Sequence, residues 1–289
     1  MLVEGKHCWR RVRANRAAFL IDGEAYFDAF VRAALRARRS ILIVGRHFNS
    51  RTVMGHGEWP RGVPVVLGDF LNFLVKRTRR LKVHILDWDF PMIHGVSREV
   101  PPIFGLGWKP RHRIQLRFDP NFPTGGSHQQ KIIVIDDAIA FVGGMDLAPD
   151  RWDTPAYTAD DPRRAIGDVP YPPVHDVMVA VDGDAARALG ELARERWRRG
   201  TGDTLAAAGN GSDPWPQELV PMRATSWSPL RAPNLPTTAG PKCARWGRSI
   251  WTCSRQPGAW SISRTSISRR PGSARRSRRG WGAKTARRS

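Results

Sequence analysis

Apolar residues recur every three or four positions in three stretches of the chain, and short runs of β-branched and other apolar residues lie between them. The helical spacing predicts helices over residues 23–40, 68–80 and 184–199. The apolar runs predict strands over residues 40–44, 81–86, 113–118, 131–135, 138–142 and 174–181. Helices and strands in alternation indicate an α/β fold, with a layered mixed β-sheet flanked by helices.

The segments between these elements are rich in proline, glycine and polar residues. Residues 91–113 and 150–173 are predicted to be long loops, which often hold functional residues on a rigid scaffold. Residues 201–221 have the composition of a linker. We therefore divide the chain into a folded domain over residues 1–205, a linker over 206–227 and a basic tail of low order over 228–289.

The formal net charge of +21 first suggests a nucleic-acid or anionic-membrane partner. The tail, however, contains 15 Lys and Arg and no acidic residue, whereas the 32 Lys and Arg of residues 1–227 face 26 acidic residues, a net charge of +6. Three cysteines, Cys8, Cys243 and Cys253, form neither a disulfide framework nor the paired spacing of a zinc site. We expect a reduced, cytoplasmic chain whose membrane contact, if any, is peripheral, because no apolar run approaches the length of a membrane span.

Residues 125–147 read GGSHQQKIIVIDDAIAFVGGMDL. Lys131 and Asp136 are separated by four residues, and Gly143, Gly144 and Asp146 follow. This segment resembles the phospholipase D superfamily, whose signature is HxKxxxxD followed by a Gly-Gly or Gly-Ser turn and an Asn or Asp. Four further segments, at 17–30, 151–155, 171–177 and 195–197, look like the N-terminal repeat of bacterial phospholipases D of the eukaryotic-like type. The resemblance covers residues 1–227.

The resemblance implies a phosphoric diester hydrolase in which two HxKxxxxD repeats meet. One histidine attacks phosphorus and forms a phosphohistidine, the other protonates the leaving alcohol, the lysines hold the phosphate oxygens and each aspartate supports a histidine. Hydrolysis or transphosphatidylation of a phospholipid headgroup or another phosphodiester is implied, with no metal and no cofactor; nucleic acid is the less favoured partner. The implied catalytic residues are Lys131 and Asp136, and the substrate-binding candidates are Gly143, Gly144, Asp146 and His175.

The sequence departs from the family at the catalytic histidine, whose position is occupied by Gln129. A neutral amide is not a competent nucleophile at phosphorus, and loss of a nucleophile costs other enzymes on the order of a millionfold in rate. His128 is adjacent, but side chains alternate along a strand, so it should face the opposite side unless the strand slips or bulges. We expect little or no turnover from the chain alone.

Three of the candidate residues also have a structural interpretation. The simplest role of Gly143 and Gly144 is that of turn glycines. His175 and Asp176 are either a paired acid–base site or a polar pair at a strand start.

The composition of the tail suggests that it is an out-of-frame translation. Tryptophans at positions 246, 251, 260 and 281 have no hydrophobic period around them, although disordered segments are poor in aromatic residues. In one shifted reading frame, codons available for residues 260–268 can spell VYIENQYF, which resembles the strand that opens the second repeat of the family. A frameshift would then have removed that repeat. The alternative is a basic disordered arm for nucleic acid or lipid.

Three functions follow from these observations. The first is a truncated, catalytically impaired phospholipase D, which would lack the second repeat as its natural intramolecular partner. The second is a non-catalytic module that binds the phosphate groups of lipid or nucleic acid. The third is a single-repeat nuclease that dimerises to assemble two motifs.

Overall fold

The computed structural model describes residues 9–88, 108–121, 128–209 and 213–222, and the strands at 249–256 and 259–266. In chain order its elements are β1 (Ala17–Ile21), α1 (Asp22–Ala34), β2 (Ser40–Val44), α2 (Leu67–Arg77), β3 (Lys82–Trp88), β4 (Ile114–Asp119), β5 (Lys131–Ile135), β6 (Ile139–Gly143), β7 (Ala165–Ile166), β8 (Val169–Pro170), β9 (Val177–Asp182), α3 (Gly183–Thr201), β10 (Ser249–Gln256) and β11 (Ala259–Ser266).

Seven strands form one mixed sheet in the order β1-β9-β6-β5-β2-β3-β4. Strands β2, β3 and β4 are parallel to one another, and β5, β6, β9 and β1 continue the sheet with antiparallel pairings. One face packs on α1 and α2 through an aromatic core that includes Phe30, Phe70 and Phe141. The other face packs on α3 around Leu189 and Trp197. The predicted α/β layered fold is confirmed.

Two helices end earlier than their hydrophobic periods predict. Helix α1 stops at Ala34 because the backbone amides of residues 38–40 turn back to the carboxylate of Asp136. Helix α2 stops at Arg77, where the guanidinium of Arg113 donates to the carbonyls of Val75 and Thr78. Contacts from residues distant in the sequence set both boundaries, and the local pattern cannot show them.

Several segments differ from their sequence-based description. Strand β1 was not predicted and forms the sheet edge beside β9. Part of the predicted linker is packed, since Trp215 is buried in the α1–α2 core. The loop over 150–173 contains the small β7–β8 ladder. Most of the predicted loop at 91–113 lies outside the described residues, as does most of the tail, in which β10 and β11 pair as an antiparallel hairpin.

The two ends of the sheet carry different residues. At one edge of the sheet β2, β3, β4 and β6 end and β5 begins. We call this edge the carboxyl end of the sheet. Lys131 and Gly143 pair there. At the opposite, amino end lie Asp136 and Lys82. Ligands of open α/β sheets usually bind outside the carboxyl ends of the strands, so the carboxyl end is the expected position of a functional site.

Within the described ranges no helix is both long and apolar enough to cross a membrane.

His84, on β3 below Trp197, makes stability depend on pH. Burial, and next the charge of Lys82, lowers the pKa of His84 to about 4 from 6.5. Between these values the unfolded chain binds a proton that the folded chain does not, so the free energy of unfolding falls as the pH drops from 6.5 towards 4. We expect His84 to account for about 1–2 kcal/mol of that fall, a figure reduced for its partial exposure. Urea unfolding of His84→Asn should show a shallower pH slope; equal slopes would refute the assignment.

Candidate functional site

Lys131 begins β5 at the carboxyl end of the sheet, on the face that packs on α1 and α2. Its side chain is only 10% exposed, and its Nζ lies 3.3 Å from Oδ2 of Asp146. Nζ also donates to Oε1 of Gln129 at 3.3 Å and to the Gln129 carbonyl at 3.4 Å. These distances exceed the usual 2.7–3.2 Å of N–H···O bonds, so the ammonium is held by weak contacts that a stronger anion can replace.

Asp146 fixes the inner side of this ammonium. It is 4% exposed, and its Oδ1 accepts the backbone N–H of Arg46 at 2.8 Å. A Cβ at Gly45 would lie 2.9 Å from the same oxygen, so the approach of the two loops requires glycine there. Burial, and next the Asp146 charge, raises the pKa of Tyr26 well above its ordinary value, so this phenol stays protonated beside the carboxylate.

Among the described residues, the two sides of the Lys131 ammonium differ in the space around them. The cavity on its inner side, between Tyr26, Phe48 and Met145, has a volume of about 10 Å³ and holds at most a single water-sized molecule. Gln129, in contrast, is exposed. As far as the described residues show, the Gln129 side is therefore the side from which a ligand can reach the ammonium.

Gly143 and Gly144 complete this end of the sheet. Neither has a positive φ. A Cβ on Gly143 would lie 2.3 Å from the carbonyl oxygen of Val177, and one on Gly144 would lie 2.2 Å from the Asp176 carboxylate. The close approach of the β9 backbone therefore leaves no room for a side chain at position 143, and a side chain at position 144 would displace the Asp176 carboxylate.

His128 lies on the opposite side of the chain from Gln129, as strand alternation predicts. Its Nε2 is 3.0 Å from the carbonyl oxygen of Asn121 and 3.5 Å from Oδ2 of Asp119, which also binds Arg196 of α3. Burial, and next the charge of Arg196, lowers the pKa of His128. Over residues 128–135 the chain shows neither the slip nor the bulge that would bring this imidazole to Lys131.

Asp136 is not part of this cluster. Its carboxylate accepts the backbone N–H groups of Arg38, Arg39 and Ser40, each at 2.8 Å. Five positions along the strand separate it from Lys131, about 16 Å at 3.3 Å per residue. The expectation that Asp136 supports the residue at the histidine position was wrong. It holds the connection between α1 and β2 at the amino end of the sheet.

His175 belongs to a neighbouring cluster at the carboxyl end. Its Nδ1 lies 2.8 Å from Oδ1 of Asp22, a fully buried residue with φ +64°. Tyr157 donates to Oδ2 of Asp22 at 2.6 Å, and this bond raises the pKa of Tyr157 to about 12. The backbone N–H of Asp22 in turn binds the carbonyl of Asp176. This segment precedes β9, which β6 separates from β5, so the structure does not bring His175 to Lys131.

Sequence reasoning missed Asp22 and Tyr157. An aspartate between an apolar run and a helix is ordinary, and only its positive φ and its burial distinguish it. Among the described residues, no group of three or more His, Cys, Asp or Glu side chains could hold a metal ion. The structure thus brings together Gln129, Lys131, Asp146 and the two glycines, and it places Asp136, His128 and His175 elsewhere.

Comparisons with known proteins agree with the sequence resemblance. Phospholipase D C of Dictyostelium discoideum is 27% identical over 204 residues, which cover 61% of this chain and 12% of that relative. Phospholipase D A of the same organism is 30% identical over 217 residues, which cover 61% of this chain and 16% of that relative. The chain therefore spans less than a fifth of the length of these relatives. No protein-family profile matches. Among solved structures, NucT from Helicobacter pylori is 14% identical with a TM-score of 0.39, over 64% of this chain and 96% of NucT.

Proposed function

We propose that this chain, a relative of the phospholipases D, binds a phosphodiester at Lys131 and turns it over poorly because Gln129 occupies the position of the nucleophile. The substrate class is a phospholipid headgroup, as expected of a relative of phospholipase D C and phospholipase D A. The observation that carries the proposal is the Lys131 ammonium, which is nearly buried, lies next to the exposed Gln129 and contacts Asp146 and Gln129 at 3.3–3.4 Å.

The electrostatics of the site suit a phosphate oxygen. The nearest carboxylate to the Lys131 ammonium is that of Asp146, which holds the ammonium in position. A phosphate oxygen that approaches from the exposed side replaces the neutral amide oxygen of Gln129 with an anionic acceptor, so that the hydrogen bond from Nζ joins two charged groups. Because the inner side is closed, the ligand lies between Lys131 and the residue at position 129, where a nucleophile would have to be.

The same geometry limits turnover. Oε1 of Gln129 already reaches Nζ of Lys131, so the amide lies where an attacking atom would be placed. An amide cannot form the phosphorus–nitrogen bond of a phosphohistidine intermediate and cannot accept a proton near neutral pH. His128, the nearest imidazole in sequence, faces Asp119 on the other side of the strand.

Lys131→Met tests the binding part of the proposal. We expect the affinity for soluble, short-chain phosphatidylcholine to fall about 10–100-fold, since a hydrogen bond to a charged group contributes about 1.5–3 kcal/mol. Isothermal titration calorimetry gives the affinity. Lys76→Met removes one exposed lysine from α2 and should leave it unchanged.

Methionine at position 131 also leaves Asp146 without its cation, so the fold of the variant needs its own check. Thermal unfolding followed by circular dichroism provides it, and Lys131→Arg, which keeps the charge, should bind better than Lys131→Met. Equal affinities of wild type, Lys131→Met and Lys76→Met would refute the proposal.

A further inference from the structure

A second charged cleft lies at the amino end of the sheet, on the face covered by α3. It runs between the starts of β2 and β3 and the segment 204–208, which follows α3 and crosses over the sheet. Its volume is about 450 Å³, within the range of small-molecule sites. We call it the basic cleft, and its cationic lining consists of Arg39, Arg80, Lys82 and Arg194.

The charge in the basic cleft is only partly balanced. Arg194 donates to Oδ1 of Asp137 at 2.6 Å, and Oδ2 of Asp137 accepts the backbone N–H of Ala208 at 2.8 Å. Both oxygens of that carboxylate are therefore occupied. Within the described ranges no carboxylate pairs with the side chain of Arg39, Arg80 or Lys82. Asp203 is the carboxylate of the adjoining cleft that also contains Lys82.

The fold holds these three cations close together. Lys82 starts β3 beside Ser40 of β2, and its backbone N–H donates to the Arg39 carbonyl at 2.9 Å. Adjacent strands lie about 5 Å apart, so Lys82 and the residue next to Ser40 start close together, and Arg80, two residues before Lys82, lines the same cleft. Like charges at this spacing repel, and a bound anion of several charges removes that repulsion.

We propose that the basic cleft is an anion site for a phosphate group carrying two or more charges, such as a diphosphate or a terminal phosphate monoester. The forked guanidinium groups of Arg39 and Arg80 can bind phosphoryl oxygens in pairs, and Lys82 adds a point charge to the same cleft. The site lies at the end of the sheet opposite Lys131, so it goes beyond the proposed function and does not depend on it. The hydroxyls of Ser40 and Thr204 line the same cleft as neutral donors.

Titration of the full chain with inorganic pyrophosphate tests this site. We expect saturable binding to wild type and at least a tenfold loss of affinity in a variant with Arg39→Gln, Arg80→Gln and Lys82→Gln. The matched control, Arg61→Gln with Lys76→Gln and Arg117→Gln, removes three exposed cations elsewhere and should keep the wild-type affinity. Lys131→Met should also keep it, which separates this site from the phosphodiester site.

Vesicles distinguish a lipid source of the phosphate from a soluble one. If the ligand is a lipid, phosphatidylcholine vesicles containing phosphatidic acid should bind wild type and the control but not the cleft variant, and pyrophosphate should displace them. If it is soluble, only pyrophosphate binding should depend on the cleft. Equal weakening of pyrophosphate binding in the cleft variant and the control would indicate a net-charge effect and overturn the proposal. Absence of binding to wild type in both arms would also overturn it.

Discussion

Asp136→Ala should lower the free energy of unfolding by about 3–5 kcal/mol, because three backbone N–H groups lose one acceptor and each unsatisfied group costs about 1–3 kcal/mol. The carboxylate is 2% exposed, and residues 38–40 have no other described acceptor for these amides. Affinity for short-chain phosphatidylcholine should not change in the fraction that remains folded. Chemical denaturation with a calorimetric binding assay measures both quantities.

Comparison of Asp136→Asn with Asp136→Ala separates the effect of the hydrogen bonds from that of the backbone strain at position 136. Asp136 has φ +53°, which asparagine tolerates better than alanine, so Asp136→Asn keeps the turn and loses only part of the acceptor capacity. Its loss of stability should lie between those of wild type and Asp136→Ala. Asp160→Ala removes an exposed aspartate and should have no effect. If Asp136→Ala unfolded like wild type but lost phosphodiester affinity, Asp136 would belong to the site after all.

Gln129→His should produce a stoichiometric burst of nitrophenolate from p-nitrophenyl phosphocholine, at least about a thousandfold faster than wild type, since loss of a nucleophile costs other enzymes far more. The new imidazole nitrogen forms a bond to phosphorus, and the bond to the aryl oxygen breaks as nitrophenolate leaves with the electron pair. This leaving group needs no proton, so the burst does not require the general acid that the family resemblance assigns to a second repeat. Rapid-mixing absorbance measurements and mass spectrometry of the phosphorylated chain follow the reaction.

The controls for this experiment identify the reacting group. Gln129→Ala should show no burst, and Gln129→His combined with Lys131→Met should lose most of it. A burst from wild type that disappears in His128→Ala would mean that His128 reaches the phosphorus, against its position beside Asp119. A Gln129→His variant that binds the substrate but gives no burst would contradict the assignment of position 129.

The hydrophobic pattern sufficed for the layers of the fold because each predicted helix and strand buries a continuous apolar face. Strand alternation likewise predicted that Lys131 and Gln129 share a side and that His128 does not. The pattern failed where a distant side chain determines the local structure. Asp136 binds three backbone amides that follow α1, and Arg113 binds carbonyls at the end of α2. Neither residue is near those helices in sequence.

The candidate site shows the same division. Motif spacing identified Lys131 and Asp146, which the sheet register brings together. Motif spacing misplaced Asp136, because Lys131 and Asp136 lie at opposite ends of strand β5. The cluster of Asp22, Tyr157 and His175 depends on the positive φ of Asp22 and on its contact with His175. Neither feature can be predicted from the local hydrophobic pattern.

Titration of wild type and of Lys131→Met with short-chain phosphatidylcholine, monitored by ³¹P nuclear magnetic resonance, tests the central claim most directly. The account predicts a saturable change in the shift or width of the phosphodiester resonance, reduced at least about tenfold in affinity by Lys131→Met, with no phosphatidic acid formed over hours. Steady formation of phosphatidic acid that Lys131→Met abolishes would contradict it, because Gln129 would then not prevent turnover.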